Sequence, residues 1–300
     1  MTSRNSHLPS IWLAEFTSKS EFDASAAALG TQLQVIAAMD DRMLQSRHPF
    51  DIKAWCAACN AVTTMQISWH HCGTNSMGSV HPAWTETCVC SRCGLNSRMR
   101  ALIEFLVAKL TVPQGAHFYM AEQITASFKV VEALFGKVTG SEYLGPAYKP
   151  GEIAADFKHH AKIRNEDLNQ LSFSDGAFDV VITQDVFEHV PDYRKTFSES
   201  ARVLKHGGAL VFTIPFFYDL SQTRIRATMD AQGNVQHIHP PEFHGNPVSN
   251  DGSLCFQNFG WDVLDALQAA GFSQSKAHMY WGPWAGHLGF PFFVFHAQKT

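Results

Sequence analysis

Residues 165–215 read NEDLNQLSFSDGAFDVVITQDVFEHVPDYRKTFSESARVLKHGGALVFTIP. Two apolar runs within it, Phe178–Thr183 and Ala209–Ile214, are short, β-branched and bounded by polar or glycine residues, as buried strands are. Between them, Asp192–Leu204 sets Phe197, Ala201 and Leu204 on one helical face, and Gly207-Gly208 is expected to stop that helix. Strand, helix and strand in this order form the crossover of a parallel sheet, whose ligands gather at the carboxyl ends of its strands.

The alternation extends in both directions. His117–Glu122 is a candidate first strand, Thr125–Phe135 a helix, Lys137–Glu142 a second strand, 144–161 a loop and Ala161–Glu166 a third strand. Residues 217–258 are rich in His, Pro, Asn and Gly, too polar and irregular for core, and read as an insertion. Trp261–Ala270 places Val263, Leu264 and Leu267 at helical spacing and ends at Gly271-Phe272. Two late strands, Ser275–Tyr280 and Pro291–Ala297, are expected to close the sheet as an antiparallel edge pair. The class is α/β.

The 300 residues suffice for one large domain and a smaller module. Hydrophobic residues at 45% and aromatics at 12% supply a core, so the chain is globular rather than disordered. A run of about 18 apolar residues is lacking, so no membrane span is expected. The start, MTSRNSHLPSIWLAEF, lacks the basic flank and apolar centre of a secretory signal, and a cytoplasmic location is expected. A net charge of −4 argues against general attraction to nucleic-acid phosphates.

Two of the cysteine pairs are patterned: Cys56-Ala-Ala-Cys59 and Cys90-Ser-Arg-Cys93. In a chain without a secretory signal they read as the ligands of a closed, structural, tetrahedral zinc site rather than as disulfides. Four ordinary buried thiols are the plain alternative. His70, His71, Cys72 and Cys88 are possible substitutes as ligands, and a redox pair is disfavoured because no thioredoxin-like strand precedes either CxxC. Ser20–Gln45 has helical character (Phe22, Ala26, Leu29, Leu33, Ile36, Met39, Met43). Residues 97–110 place Leu102, Phe105, Leu106 and Leu110 on one helical face, and Pro113-Gln114-Gly115 is a break. The expected organisation is an N-terminal helical segment (1–50), a zinc module with linker helix (51–110), and a large α/β domain (111–300).

The segment quoted first resembles the second half of a class I S-adenosylmethionine (SAM) dependent methyltransferase domain, of the methyltransferase type 11 kind. The matching pieces are Asp167-Leu168, Leu171 with Phe173, Asp175, Phe178-Asp179-Val180-Val181, Asp185 with Glu188-His189-Val190, Arg202-Val203-Leu204 and Gly207-Gly208. The resemblance covers about residues 111–300 and implies a Rossmann-like seven-stranded sheet, mostly parallel with an antiparallel edge hairpin. It departs from the family at the first turn, which reads Tyr119-Met120-Ala121-Glu122-Gln123-Ile124-Thr125-Ala126 where glycines are expected. A subgroup resembling this chain carries E-Q-x-T there and G-S-E-Y at the second strand. Both are present, as Glu122-Gln123 with Thr125 and as Gly140-Ser141-Glu142-Tyr143.

By the same resemblance SAM is the cofactor. Glu122 ends the first strand and Thr125 can cap the following helix, leaving its N–H groups for a carboxylate. Glu142 would accept both ribose hydroxyls. Asp167 would accept the adenine amino group, with Leu168 as an apolar wall. Gln184 and Asp185 would lie beneath the sulfonium. His189 reads most simply as a core or capping histidine.

Methyl transfer requires alignment of a nucleophile with the methyl, proton removal where needed, and exclusion of water. The insertion offers His237, His239, Glu242, Phe243, His244, Asn246, Arg224 and Arg226, followed by Trp261. One reading makes His239 or His244 a general base oriented by Glu242, with Arg224 or Arg226 gripping the substrate. A second is a metal site from His237, His239 and His244, and a third is a loop that merely caps the sheet. The expected activity is methyl transfer to oxygen or nitrogen of a small-molecule or carbohydrate-linked acceptor. An RNA substrate is the rival, kept open by Arg92, Arg98 and Arg100 beside the cysteines, and a non-catalytic binding protein of the same fold is the third possibility.

Overall fold

A computed structural model describes residues 8–74, 78–246 and 248–300. The first seven residues of the N-terminal segment and Pro247 of the insertion lie outside them. The chain divides into two units: residues 1–16, 20–111 and 277–294 form one, and 17–19, 112–276 and 295–300 the other. Residues 277–294 group with the N-terminal part. The last two strands are long, Phe272–Gly282 and His287–Lys299, and each runs through both units.

In the larger unit the strands Val138–Gly140, Phe118–Met120, Phe178–Gln184 and Leu204–Thr213 lie side by side and parallel. Ala209–Phe212 then pairs antiparallel with residues 295–298. Phe178, Val180, Val181, Ile182, Leu210, Val211 and Phe212 are all buried, as expected of a parallel sheet covered on both faces. The helix Tyr193–Val203 is capped by Asp192, which accepts the Lys195 N–H at 3.0 Å. It ends before the expected glycines, because the next strand already begins at Leu204. Gly208 has another duty there. A Cβ on it would lie 2.9 Å from the Lys205 carbonyl oxygen, so only glycine lets the strand bulge and return to register.

The complete sheet has seven strands, in the order Trp12–Phe16, Phe272–Gly282, His287–Lys299, Leu204–Thr213, Phe178–Gln184, Phe118–Met120, Val138–Gly140. The count matches the expectation, but the membership does not. The expected third strand, Ala161–Glu166, instead forms an antiparallel hairpin, His160–Arg164 with Ile153–Phe157, and touches the sheet through the parallel bridge Glu142–Asn165. The cause is local. Lys158 and His159 both adopt positive φ (48° and 70°), which makes a tight two-residue turn inside what reads as an open loop. The seventh place goes to Trp12–Phe16, which pairs antiparallel with Ala277–Tyr280 and takes the outer edge expected of the late hairpin.

The smaller unit holds the helix Ala26–Met43, the antiparallel sheet of Phe50–Cys56, Ala61–Ile67 and Cys88–Cys90, and the helix Ser97–Ala108. Its core joins Ile52, Ala54, Cys56, Met65, Ile67, Trp84, Cys88, Cys90 and Leu288, with Met43 and Leu44 packed against it. The buried Asp40 fixes the first helix by accepting the Gly289 N–H at 3.0 Å and the Trp281 indole N–H at 3.3 Å.

Candidate functional site

The carboxyl ends of the parallel strands are joined by side chain to main chain hydrogen bonds. Glu122 Oε2 accepts the Gln184 N–H at 2.8 Å, tying the first strand's end to its neighbour. The glycine-free turn that follows is held from both sides. The Gln123 N–H donates to the Ser141 carbonyl at 3.0 Å, and Gln123 Oε1 accepts the Arg164 N–H at 3.0 Å. Thr125 caps the helix Ala126–Phe135, its Oγ1 accepting the Phe128 N–H at 3.2 Å and donating to the Glu122 carbonyl at 2.9 Å. The Ile124 N–H donates to Glu142 Oε1 at 2.9 Å. The glycine has moved rather than vanished: a Cβ at Gly140 would lie 2.5 Å from Phe128 Cε2 and 2.8 Å from Gln123 Cγ.

Glu142 is 7% exposed, and burial pushes its carboxyl up to about 7, against the pull of the Ile124 N–H. Asp167 is half-buried and accepts the Asn169 N–H at 2.8 Å, with Leu168 buried beside it. Gln184 is buried with neither amide atom hydrogen-bonded, an uncompensated polar group at the sheet's working edge. Asp185 sits at φ 52°, a left-handed backbone costly for a residue other than glycine. It is held there by its N–H on the Thr213 carbonyl at 3.0 Å and by the Thr213 hydroxyl, which donates to Oδ1 at 2.8 Å.

The tight turn Phe187–His189 follows, and the insertion is stitched onto it. The Phe256 N–H donates to the Glu188 carbonyl at 2.8 Å, and the Gln257 amide donates to the carbonyls of Phe187 and Val190. His189 Nδ1 pairs with the Leu254 carbonyl at 2.9 Å. His244 enters from the insertion strand Phe243–Asn246, with Nε2 3.1 Å from Glu242 Oε1 and Nδ1 3.7 Å from Glu188 Oε1. Glu188 is fully buried, and burial raises its carboxyl to about 7. Glu188 and Glu242 in turn raise His244 to about 9, so metal-free His244 is a cation at neutral pH and has no lone pair for a proton. Burial lowers His189 to about 4, leaving it neutral.

Of the expected substrate residues, His244 and Arg226 both meet Glu242. His237 and His239 are exposed, and the grouping of His237, His239 and His244 does not form. Arg226 is committed to structure: it lies 3.3 Å from Glu242 Oε2 and donates to Asn258 Oδ1 at 2.9 Å and to the Pro240 carbonyl at 2.7 Å. Arg224 remains exposed. Glu188 enters the sequence reading only as part of the family match, and its approach to His244, from a segment 56 residues later, leaves no local signal.

The profile of the Methyltransferase domain family matches residues 125–212. A demethylmenaquinone methyltransferase of Alkalihalophilus pseudofirmus is 32% identical over 163 residues, covering 51% of this chain and 67% of that protein. The chain belongs to the SAM-dependent methyltransferases. This methyltransferase is also 36% identical over 148 residues to a glycine/sarcosine/dimethylglycine N-methyltransferase of Actinopolyspora halophila, covering 43% of the chain but 26% of that protein. It is 36% identical over 61 residues to a sarcosine/dimethylglycine N-methyltransferase of Halorhodospira halochloris, spanning 22% of that protein's length. A solved SAM-dependent methyltransferase from Mesorhizobium loti overlays loosely, with a TM-score of 0.42 and 18% identity over 66% of this chain and 98% of that one. Among the described residues of the methyltransferase, no helix is long and apolar enough to cross a membrane.

In its smaller unit the methyltransferase brings Cys56, Cys59, Cys90 and Cys93 together, with all four sulfurs within 4.8 Å of one another. Cys56 and Cys93 are 3.7 Å apart and Cys59 and Cys90 3.8 Å, too long for disulfides. Thiolates at about 2.3 Å from a tetrahedral ion would stand about 3.8 Å apart. Cys93 is pulled down to about 5 by the hydrogen bond it takes from Cys56 and by the Leu95 N–H. The substitutes do not join: Cys88 directs its thiol to the Gly286 carbonyl at 3.3 Å, while His70, His71 and Cys72 lie outside the cluster. The three arginines do not make a basic patch. Arg98 pairs with Glu86 at 3.0 Å and Arg100 is buried, donating to the carbonyls of Ala285 and Gly286, which leaves Arg92 exposed.

Proposed function

We propose that this methyltransferase methylates an oxygen or nitrogen of a small-molecule or carbohydrate-linked acceptor, with SAM held at the carboxyl ends of the parallel strands. The observation that carries the reading is a buried acid, Glu142, beyond the second strand, and an unpartnered Gln184 amide ending the fourth, flanking the strand that leads to Glu122. Bound SAM supplies an electrophilic methyl on a sulfonium. Glu142 gives its remaining oxygen to the ribose hydroxyls, since Oε1 already takes the Ile124 N–H. Asp167 and Leu168 receive the adenine. Gln184 and Asp185 line the floor near the reacting atoms, and the insertion carrying Glu242 and His244 excludes water from the acceptor side. Burial and pairing of Arg98 and Arg100 favour this acceptor class over RNA.

The smaller unit is read as a structural zinc module with Cys56, Cys59, Cys90 and Cys93 as ligands, supported by sulfur spacings that suit a tetrahedral ion.

Titration calorimetry with SAM and with its demethylated product tests the cofactor site, followed by transfer of labelled methyl to panels of small hydroxyl and amine acceptors. Micromolar binding that Glu142→Gln weakens at least tenfold supports the reading. Failure of the wild type to bind either compound favours a non-catalytic protein of the same fold.

A further inference from the structure

We propose that Glu188, His189 and His244 bind a divalent first-row transition ion, at a site separate from the four-cysteine cluster. Binding of the ion stands on this geometry alone; its role toward the acceptor rests on the methyltransferase reading of the cleft.

The ligand atoms are identified by what stands behind them. A carbonyl can only accept, so the Leu254 oxygen fixes the proton of His189 on Nδ1. Its Nε2 lone pair is then free, 3.6 Å from Glu188 Oε1. An ion would displace the Nδ1 proton of His244; Glu242 then keeps the remaining proton on Nε2, and the Nδ1 lone pair faces the same Glu188 oxygen, 3.7 Å away. The three ligand atoms lie within 4.8 Å of one another, and the two imidazole planes cross at 82°. An ion about 2.1 Å from each ligand needs separations of about 3.4 Å in a tetrahedral site, a contraction of a few tenths of an ångström for each nitrogen–oxygen pair, while the two nitrogens stand within 4.8 Å of each other.

Independent support comes from Glu188 itself. It has no exposed surface, and neither carboxylate oxygen accepts a hydrogen bond. A buried carboxylate without donors is costly unless a cation faces it; without an ion that cation is His244, standing 3.7 Å away and beyond hydrogen-bonding distance. Here the facing groups are two imidazoles already oriented by a carbonyl and a carboxylate, the outer pattern that metal-binding histidines show. Cys255 is not counted as a ligand, because its thiol donates to the Gln257 carbonyl at 3.2 Å.

Two nitrogens and one carboxylate suit zinc, iron(II), cobalt or nickel better than magnesium or calcium. Three protein ligands leave a position open. The cluster follows Asp185 on the same turn, so an acceptor hydroxyl or amine could occupy that position beside the cofactor floor.

The test is to load the full-length chain, purified free of metal, with cobalt(II) and with zinc, each alone. Two equivalents per chain are expected. One cobalt should show intense thiolate charge-transfer bands, and the second only weak visible bands of a nitrogen–oxygen site. Glu188→Gln and His189→Gln should each lose the second equivalent and keep the first, with SAM binding retained by calorimetry. The proposal is overturned if wild-type protein binds no cobalt beyond the thiolate site, or if both variants keep the full count. Should the variants misfold by circular dichroism, the wild-type cobalt spectrum decides alone. Loss of SAM binding by the wild type would sink the methyltransferase reading while leaving the ion site standing.

Discussion

The backbone N–H of Ile124 donates to Oε1 of Glu142 at 2.9 Å. This contact joins the glycine-free turn, where the cleft departs from the family pattern, to the acid expected at the ribose. A glycine turn would leave its N–H groups for the ligand, whereas here the turn spends one on the acid assigned to the ribose. The acid is thereby fixed in direction before any ligand arrives, and with Gln123 buttressing the turn, glycine is required at position 140 instead.

Glu142→Gln should weaken SAM and stabilise the ligand-free protein at the same time. Its carboxyl lies near 7 when folded and 4.5 ordinarily, so the folded state holds a proton that the unfolded chain releases between those values. Stability from this group is greatest below pH 4.5 and declines as pH rises to about 7. Gln removes the decline. The variant should gain, relative to wild type, at most about 3 kcal/mol between pH 5 and pH 8 in urea unfolding. An unchanged difference at the two pH values would contradict the assignment.

Wild-type SAM affinity should fall with acidity. A ribose acceptor must be ionised, so the dissociation constant is expected to rise roughly tenfold per pH unit below about 7. Calorimetry from pH 5.5 to 8.5 measures it, and a flat profile would count against Glu142.

Glu122→Ala removes the acceptor of the Gln184 N–H. A buried donor left unpaired costs about 1–3 kcal/mol. The urea midpoint should drop accordingly, with Glu122→Gln losing less because its amide oxygen still accepts.

Asp185 separates strain from chemistry. Asp185→Gly relieves the left-handed backbone at φ 52° but deletes the carboxylate. Methyl transfer should fall at least tenfold with little loss in melting temperature, whereas Asp185→Ala should lose both. Equal activity in Asp185→Gly and wild type would remove this residue from the site.

Chelation of the four-cysteine site should lower the melting temperature by roughly 10 °C and be reversed by zinc. Cys90→Ser, at a fully buried sulfur, should reproduce the loss. A melting curve indifferent to chelator and to the substitution would leave four plain thiols.

The larger unit was legible where local pattern and packing agree. Val180-Val181-Ile182 is apolar throughout because both sheet faces are covered, and Asp192 announces the helix it caps. The CxxC pairs announced their own convergence by spacing. Other features lacked such marks. Lys158-His159 turns a hairpin without Asn-Gly or Asp-Gly, Trp12–Phe16 resembles any short apolar stretch, and Arg100 reads as a surface cation until its buried carbonyl partners are seen.

Sequence by itself determined the alternation of strand and helix, the acids at the strand ends and the cysteine quartet, because each is written in neighbours a few residues apart. Tertiary structure alone decided which strand takes the outer edge, which arginines are spent internally, and that Glu188 meets His244. Those outcomes depend on segments from 12 residues apart, as Arg98 and Glu86 are, to well over 200 apart competing for the same hydrogen bonds and the same buried space, and no local pattern encodes the winner.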